Sequence, residues 1–330
     1  MERLIKRLIK RLTALLAALV LLGGLCAAQA ETAAEIPWTT KLTVRFATVE
    51  DGRQLMRGRT LFHGQLSDET LPFYLQRKGG TLEEYIEYSE EQVLAFSPDE
   101  TERISDTLSW LQAQLEKYGL RLPDPGEITL VLTTGEDMPG AAGYTTGGTI
   151  FMNRVMFDRE SYADDVFREF FLHEIFHSLT RLYPEFRRAM YSIIHFTLLE
   201  QDIDVPEELL SQVIANPDVE HHDSCASFTI EGKKKDCYLL FLTDTVFENP
   251  GDTLFDGMYT GIVPLDGSRV YRAEEVPDFW DVVGRNTDYA EDPEEIMATN
   301  FALAILHLED GYGAYESPEI LQAIVDCLKN

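Results

Sequence analysis

The sequence predicts an α+β fold in which a β-rich insertion interrupts the core and a small segment precedes it. Three observations support this prediction. Apolar residues recur at helical spacing both before and after the predicted insertion, which begins at residue 212. Strand patterns lie between the first two long helices. Residues 216–272 have the pattern of short strands and turns. We therefore divide the chain into 1–30, 31–96, 97–201, 212–275 and 276–330, where 97–201 and 276–330 are two parts of one core.

Residues 1–30 have the features of a secretory signal peptide. Five basic residues are followed by an apolar run over 12–25 and by Ala28-Gln29-Ala30, a cleavage site of the small-x-small type. The run is shorter than the roughly 20 residues that span a bilayer. We therefore predict cleavage near Ala30 and an exported protein, secreted, periplasmic or on the cell surface, without a membrane span. Lipid attachment at Cys26 is the alternative, which Leu25 disfavours because a small residue is typical there.

Acidic residues dominate the remaining chain. The full sequence has 28 basic and 57 acidic residues, and removal of the leader leaves 23 and 56, a net charge of −33. Such a surface repels nucleic acid and anionic lipid, so we expect neither as a partner. Acidic residues form no long run, which indicates a solvated surface.

Three cysteines follow the leader: Cys225, Cys237 and Cys327. The first two flank a predicted hairpin, and export allows disulfides to persist. We therefore predict a disulfide between Cys225 and Cys237 and a free Cys327. No pair has Cys-x-x-Cys spacing, so a zinc site made of cysteines is not expected.

The elements before the middle of the chain follow from local patterns. Residues 31–96 are mixed and open with an alternating strand over 42–46. A helix follows, which Ser97 caps, Pro98 begins, Glu100 supports through a capping box and Gly119 ends. Strands are predicted over 128–134 and 149–152. Residues 141–152 form either an edge along which an extended substrate pairs or an ordinary hairpin.

The next predicted helix, Asp164–Leu182, contains His173-Glu174-Ile175-Phe176-His177, the pattern His-Glu-x-x-His, and Pro184 limits it. Residues four apart lie on one face of a helix, so both imidazoles can reach one metal ion, while Glu174 lies at the flank. There it can deprotonate a metal-bound water, whose pKa zinc lowers to about 7. The alternative is two core histidines in a chance motif, but histidines among apolar neighbours without a partner would cost desolvation free energy.

A third protein ligand must come from elsewhere, and the candidates are Glu295, Glu200 and His195. Glu295 lies in a predicted helix over 293–308, whose small residues on one face would allow close approach to the His173 helix. Its alternative role is in the capping box that Asp292 begins. A last helix is predicted over 319–328.

Glu295 also belongs to a longer pattern. Tyr289-Ala290 precedes it, and Ala298, Thr299 and Phe301 follow at set positions. In this stretch the chain resembles gluzincin metallopeptidases of the anthrax lethal factor type and related bacterial exported proteins, which carry Tyr-Ala and then Glu-x-x-Ala-acidic-x-Phe. The metzincin extension is missing, because Thr180 and Tyr183 stand where it has Gly and His.

The resemblance implies a zincin-like core and an exported zinc metallopeptidase that acts on a peptide or protein. His173, His177 and Glu295 would bind Zn²⁺. Glu174 would be the general base and Tyr289 would donate a hydrogen bond to the oxyanion. Thr299 departs from the family, which has an acidic residue there that orients a zinc-binding histidine. Two other functions stay open: a zincin-derived binding protein that keeps the metal without turnover, and an extracellular module without metal.

Overall fold

The computed structural model describes residues 36–329. The predicted signal peptide, its cleavage near Ala30 and the alternative anchor at Cys26 lie outside the described residues. The chain mixes helices and strands, as the sequence predicts. Within 36–329, no helix combines the length and the apolar character that crossing a membrane requires.

The helices and strands are labelled in chain order. Helices α1 to α10 are Val49–Arg57, Leu61–Gln65, Leu71–Leu75, Leu82–Glu91, Pro98–Tyr118, Asp164–Leu182, Pro184–Ile193, Phe279–Val283, Pro293–Leu306 and Pro318–Leu328. Strands β1 to β12 are Trp38–Thr39, Thr43–Phe46, Val93–Leu94, Leu122–Pro123, Glu127–Thr133, Gly143–Thr146, Thr149–Asn153, Thr197–Leu198, Ser224–Ile230, Lys233–Thr243, Met258–Pro264 and Tyr271–Arg272. The predicted helix Asp164–Leu182 is α6, with both ends as expected.

A mixed sheet in the order β2-β5-β7-β6 borders the candidate site. β2, β5 and β7 run parallel, while β6 runs antiparallel to β7 at the edge, with Gly143 opposite Met152 and Thr145 opposite Ile150. The strands predicted over 128–134 and 149–152 are β5 and β7. β6 comes from the segment that the sequence suggested as an edge, so one side of its backbone is free of sheet pairing.

The predicted β-rich insertion forms most of a second, antiparallel sheet in the order β12-β11-β10-β9-β8. β9 and β10 are joined by Glu231 and Gly232, whose φ angles of 50° and 78° are both left-handed. Two such residues match the right-handed twist of the flanking strands. The hairpin predicted between Cys225 and Cys237 thus has a tight two-residue turn.

The predicted disulfide is wrong: Cys225, Cys237 and Cys327 are all free. The hairpin register places Cys237 opposite Ala226. Cys225 is the residue before Ala226, and its side chain therefore points to the opposite face of the sheet. Burial raises the pKa of the Cys237 thiol to about 12, so it stays protonated at neutral pH.

Two long helices show how the sequence positions the site. Helix α5 has the predicted capping box between Ser97 and Glu100 and ends at Gly119, whose φ of 67° favours glycine. Helix α6 is buried on nearly every side, and the rings of Phe171 and Phe176 are fully enclosed. Burial of each such ring contributes roughly 1.5–3 kcal/mol. Because α6 packs against α9 and against β6 and β7, its polar residues lie between the sheet edge and α9.

Candidate metal centre

The predicted ligands His173, His177 and Glu295 converge between α6 and α9. His173 Nε2 lies 2.9 Å from Glu295 Oε2, and His177 Nε2 lies 3.8 Å from the same oxygen. A tetrahedral ion with ligands at about 2.1 Å separates neighbouring ligand atoms by about 3.4 Å, and the two distances bracket this value. These residues can therefore hold one metal ion.

The environment of His177 fits a cation at this position. His177 is fully buried, and its Nε2 has no hydrogen-bond partner within residues 36–329. Burial lowers the pKa of His177, but the carboxylates of Asp218, Glu294 and Glu295 outweigh it and raise the pKa to about 10. The site therefore attracts positive charge, and a metal ion would also satisfy the buried Nε2.

Glu294 contacts the His177 ring at Nδ1, on the side away from the proposed metal position. Its Oε1 lies 2.9 Å from His177 Nδ1 and accepts a hydrogen bond from the Thr180 hydroxyl, while its Oε2 accepts one from the Tyr191 hydroxyl at 2.6 Å. Burial raises the pKa of Glu294, but the contacts with His177, Arg187 and Thr180 outweigh it and lower the pKa. An ionised Glu294 keeps the proton of His177 on Nδ1 and leaves Nε2 for a metal.

In the family that the chain resembles, an acidic residue orients a zinc-binding histidine, and Thr299 stands at that position. Thr299 Oγ1 does lie 3.4 Å from His173 Nδ1, a long contact. The acidic partner is instead Glu294, and it acts on the other histidine. This role of Glu294 was not predicted from the sequence.

We expect Glu294→Gln to weaken zinc binding about 10- to 100-fold, because the amide holds the His177 ring and its tautomer less firmly than the carboxylate does. The measurement is zinc affinity by competition with a chromophoric chelator. Glu185→Gln, on the exposed first turn of α7, is the matched control and should bind zinc as the native protein does. An unchanged affinity of Glu294→Gln would remove Glu294 from the metal centre.

Neither the capping-box role of Glu295 nor the alternative ligands are observed. Asp292 caps α9 by accepting a hydrogen bond from the Glu294 backbone, whereas the Glu295 side chain contacts His173 and accepts a hydrogen bond from Asn216 Nδ2 at 2.6 Å. The alternative ligands His195 and Glu200 are both exposed. Neither belongs to a potential metal group among the described residues.

Glu174 lies on the β6 side of the ligands. Its Oε2 accepts a hydrogen bond from the Thr145 hydroxyl at 2.7 Å. Burial raises the pKa of Glu174 more than the nearby His177 and His173 lower it. A carboxylate with a raised pKa accepts a proton more readily than an exposed one, as a general base requires.

Tyr289 completes the predicted set. A cavity of about 770 Å³ opens beside the ligands, and we call it the central cavity; it is lined among others by His173, Glu174, Asp218, Tyr289, Glu295 and Thr299. The Tyr289 ring centre lies 6.5 Å from that of His173. Burial raises the pKa of Tyr289 well above its usual range, so its hydroxyl keeps its proton and can donate it in a hydrogen bond.

The insertion also contributes two residues that the sequence did not predict. Asn216 contacts Glu295, and Asp218 forms a second potential metal group with Glu174 and His177. No local pattern marks either residue, because the contacts join segments more than 40 residues apart. No protein-family model, curated protein or solved structure matches the chain.

Proposed function

We propose that the protein is an exported zinc-dependent metallopeptidase with a zincin-like core. The observation that carries the proposal is the convergence of His173, His177 and Glu295 on one point beside Glu174. His173, Glu174 and Glu295 line the central cavity there, while His177 is buried next to them. Two imidazoles and one carboxylate that leave one side open are typical ligands of catalytic zinc. When bound, zinc acts as a Lewis acid and lowers the pKa of water.

The residues around the ligands have separate tasks in this proposal. Glu174 takes a proton from the attacking water and later gives it to the leaving amine. Tyr289 donates a hydrogen bond to the carbonyl oxygen as negative charge develops on it. Glu294 and Thr299 hold the rings of His177 and His173. These tasks match the burial and the partners of each side chain.

A zincin-derived binding protein that keeps the metal without turnover is the second candidate. The observation in its favour is the long contact of Thr299 with His173, where an acidic residue would hold the ring more firmly. In that case the metal would stabilise a binding surface. The two candidates differ in turnover and not in zinc content.

The test combines metal analysis with a peptide library. We expect the purified mature protein to contain about one zinc per chain and to cleave members of a diverse library, as followed by mass spectrometry. A chelator should stop cleavage and added zinc should restore it. Zinc without any cleavage would favour the binding protein, and a chain that binds no zinc would contradict both candidates.

We expect Tyr289→Phe to retain zinc and to lose turnover by roughly a hundredfold, the effect typical of removing one oxyanion donor. The loss should appear mainly in kcat, because the hydrogen bond strengthens as charge develops. Tyr315→Phe, which lies outside the lining of the central cavity, is the control. Equal activity of the two variants would exclude a role of Tyr289 in the reaction.

A further inference from the structure

Asp218 has no task in the proposed reaction, although it lines the central cavity. Its side chain is 10% exposed. Its Oδ1 accepts a hydrogen bond from the Thr145 backbone N–H at 2.6 Å, and its Oδ2 accepts none from the residues described, 36–329. Asp218 groups with Glu174 and His177 and not with His173 and Glu295, so it lies on the Glu174 side of the ligands.

The backbone of β6 shows how far a peptide can pair along this edge. The register with β7 leaves the N–H and C=O groups of Gly143 and Thr145 facing away from the sheet. The N–H and C=O of Thr145 already have hydrogen-bond partners. Asp218 accepts a hydrogen bond from the N–H, and Arg181 Nη2 donates one to the carbonyl at 2.9 Å. Those of Gly143 have no partner within the described part of the chain, and Gly143 lines the central cavity. A peptide can therefore pair at Gly143 and must stop before Thr145.

We call the Thr145 end of this edge, where pairing must stop, the closed end. It lies beside the proposed reacting groups. The Thr145 hydroxyl contacts the proposed base, Glu174, at 2.7 Å. Asp218 Oδ1 lies 3.9 Å from Nε2 of the proposed ligand His177. A strand residue spans about 3.3 Å, so little more than one substrate residue has room between this end of the edge and the proposed reacting groups.

The chemistry of the closed end selects the amino terminus of a substrate. Asp218 and Glu174 present carboxyl groups there. Burial raises the pKa of both, and a cation bound beside them would lower it again. The positive charge of Arg181 is paired with Glu220 at 3.0 Å. An α-amine is largely protonated at neutral pH and is attracted to carboxylates, whereas an α-carboxylate is repelled. Strand direction agrees, because a peptide that runs antiparallel to β6 has its amino terminus at the Thr145 end.

We propose that the protein is an aminopeptidase in which Asp218 binds the free α-amine of the substrate. This inference rests on the proposed metallopeptidase function. Water adds its hydroxyl to the first carbonyl carbon, the bond from that carbon to the next nitrogen breaks, and the nitrogen gains a proton. One free amino acid and a peptide shortened by one residue are released. The insertion limits cleavage to this bond by closing the cleft.

The test compares one zinc-loaded protein on two peptides of the same sequence, one with a free amino terminus and one acetylated. We expect single residues to leave the free peptide from its amino terminus, and kcat/KM for the acetylated peptide to be roughly 10- to 100-fold lower, as for loss of a charge-assisted hydrogen bond. Asp218→Asn keeps an acceptor for the Thr145 N–H but removes the charge. Its preference for the free peptide should fall nearly to one, mainly through KM.

Two further measurements make the result decisive. Asp236→Asn, on the exposed part of the same insertion, should keep the preference of the native protein. In calorimetry, the Glu174→Gln protein should bind the free peptide more tightly than the acetylated one, and addition of Asp218→Asn should abolish that difference. Cleavage of internal bonds at equal rates in both peptides would overturn the inference and leave the metallopeptidase proposal intact. Cleavage of neither peptide would overturn both.

Discussion

Glu174→Gln is expected to lower kcat by about 10³- to 10⁴-fold while zinc stays bound at one ion per chain. Glu174 is outside the group formed by His173, His177 and Glu295, so its replacement removes no ligand. The amide oxygen can still accept the hydrogen bond from Thr145 that holds the carboxylate. What is lost is the group that accepts a proton from water, and general bases contribute about 10²- to 10⁴-fold to enzymatic rates.

The measurement is kcat on the best library peptide together with zinc content and melting temperature. Glu200→Gln is the matched control, because Glu200 is exposed and was the competing candidate ligand. It should retain native activity and zinc. If Glu174→Gln kept native turnover, the metal would have another purpose, and if it lost zinc, Glu174 would be a ligand.

His177→Ala is expected to lose both zinc and activity. The substitution removes one of three ligands and leaves Glu294 without its closest basic partner on α6. Because a metal that binds only the folded protein stabilises it, native protein should melt at a lower temperature when a chelator is added. The melting temperature of His177→Ala should not respond to the chelator.

Metal analysis, peptide cleavage and thermal melting of the same preparation test this expectation. His195→Ala provides the control, since His195 is exposed and lies in neither potential metal group of the described residues. It should keep zinc, activity and the response to a chelator. Stoichiometric zinc in His177→Ala would show that the ion is held elsewhere.

The parts of the site that the sequence predicted are those with a local pattern. His173, Glu174 and His177 follow from helical spacing within α6, and Glu295 and Tyr289 from a motif within 13 residues. In the structure, His173, Glu174, Tyr289 and Glu295 line one cavity, and the buried His177 lies within ligand distance of His173 and Glu295.

The parts that the sequence did not predict depend on contacts between distant segments. Glu294 and His177 are in contact although they are 117 residues apart in the sequence, and Thr145 and Asp218 are 73 residues apart. Helix α7, which supplies Tyr191 to Glu294, was also not predicted, because Pro184 gave a reason to end a helix and Pro equally suits the first position of the next one.

The wrong disulfide has a different origin. Composition correctly indicated the hairpin of β9 and β10, but a disulfide needs a register as well as proximity. A difference of one residue decides which face a side chain takes. The two-residue turn at Glu231-Gly232 sets the register and places Cys237 opposite Ala226, so Cys225 is not its partner.

The free thiols of the insertion bear on how the chain would mature under the proposed export. Since the described fold contains no covalent link between β9 and β10, its assembly needs neither an oxidant nor a disulfide isomerase. Reductants should leave the fold intact, whereas a single-step oxidation that joined Cys225 to Cys237 would force the strands out of register.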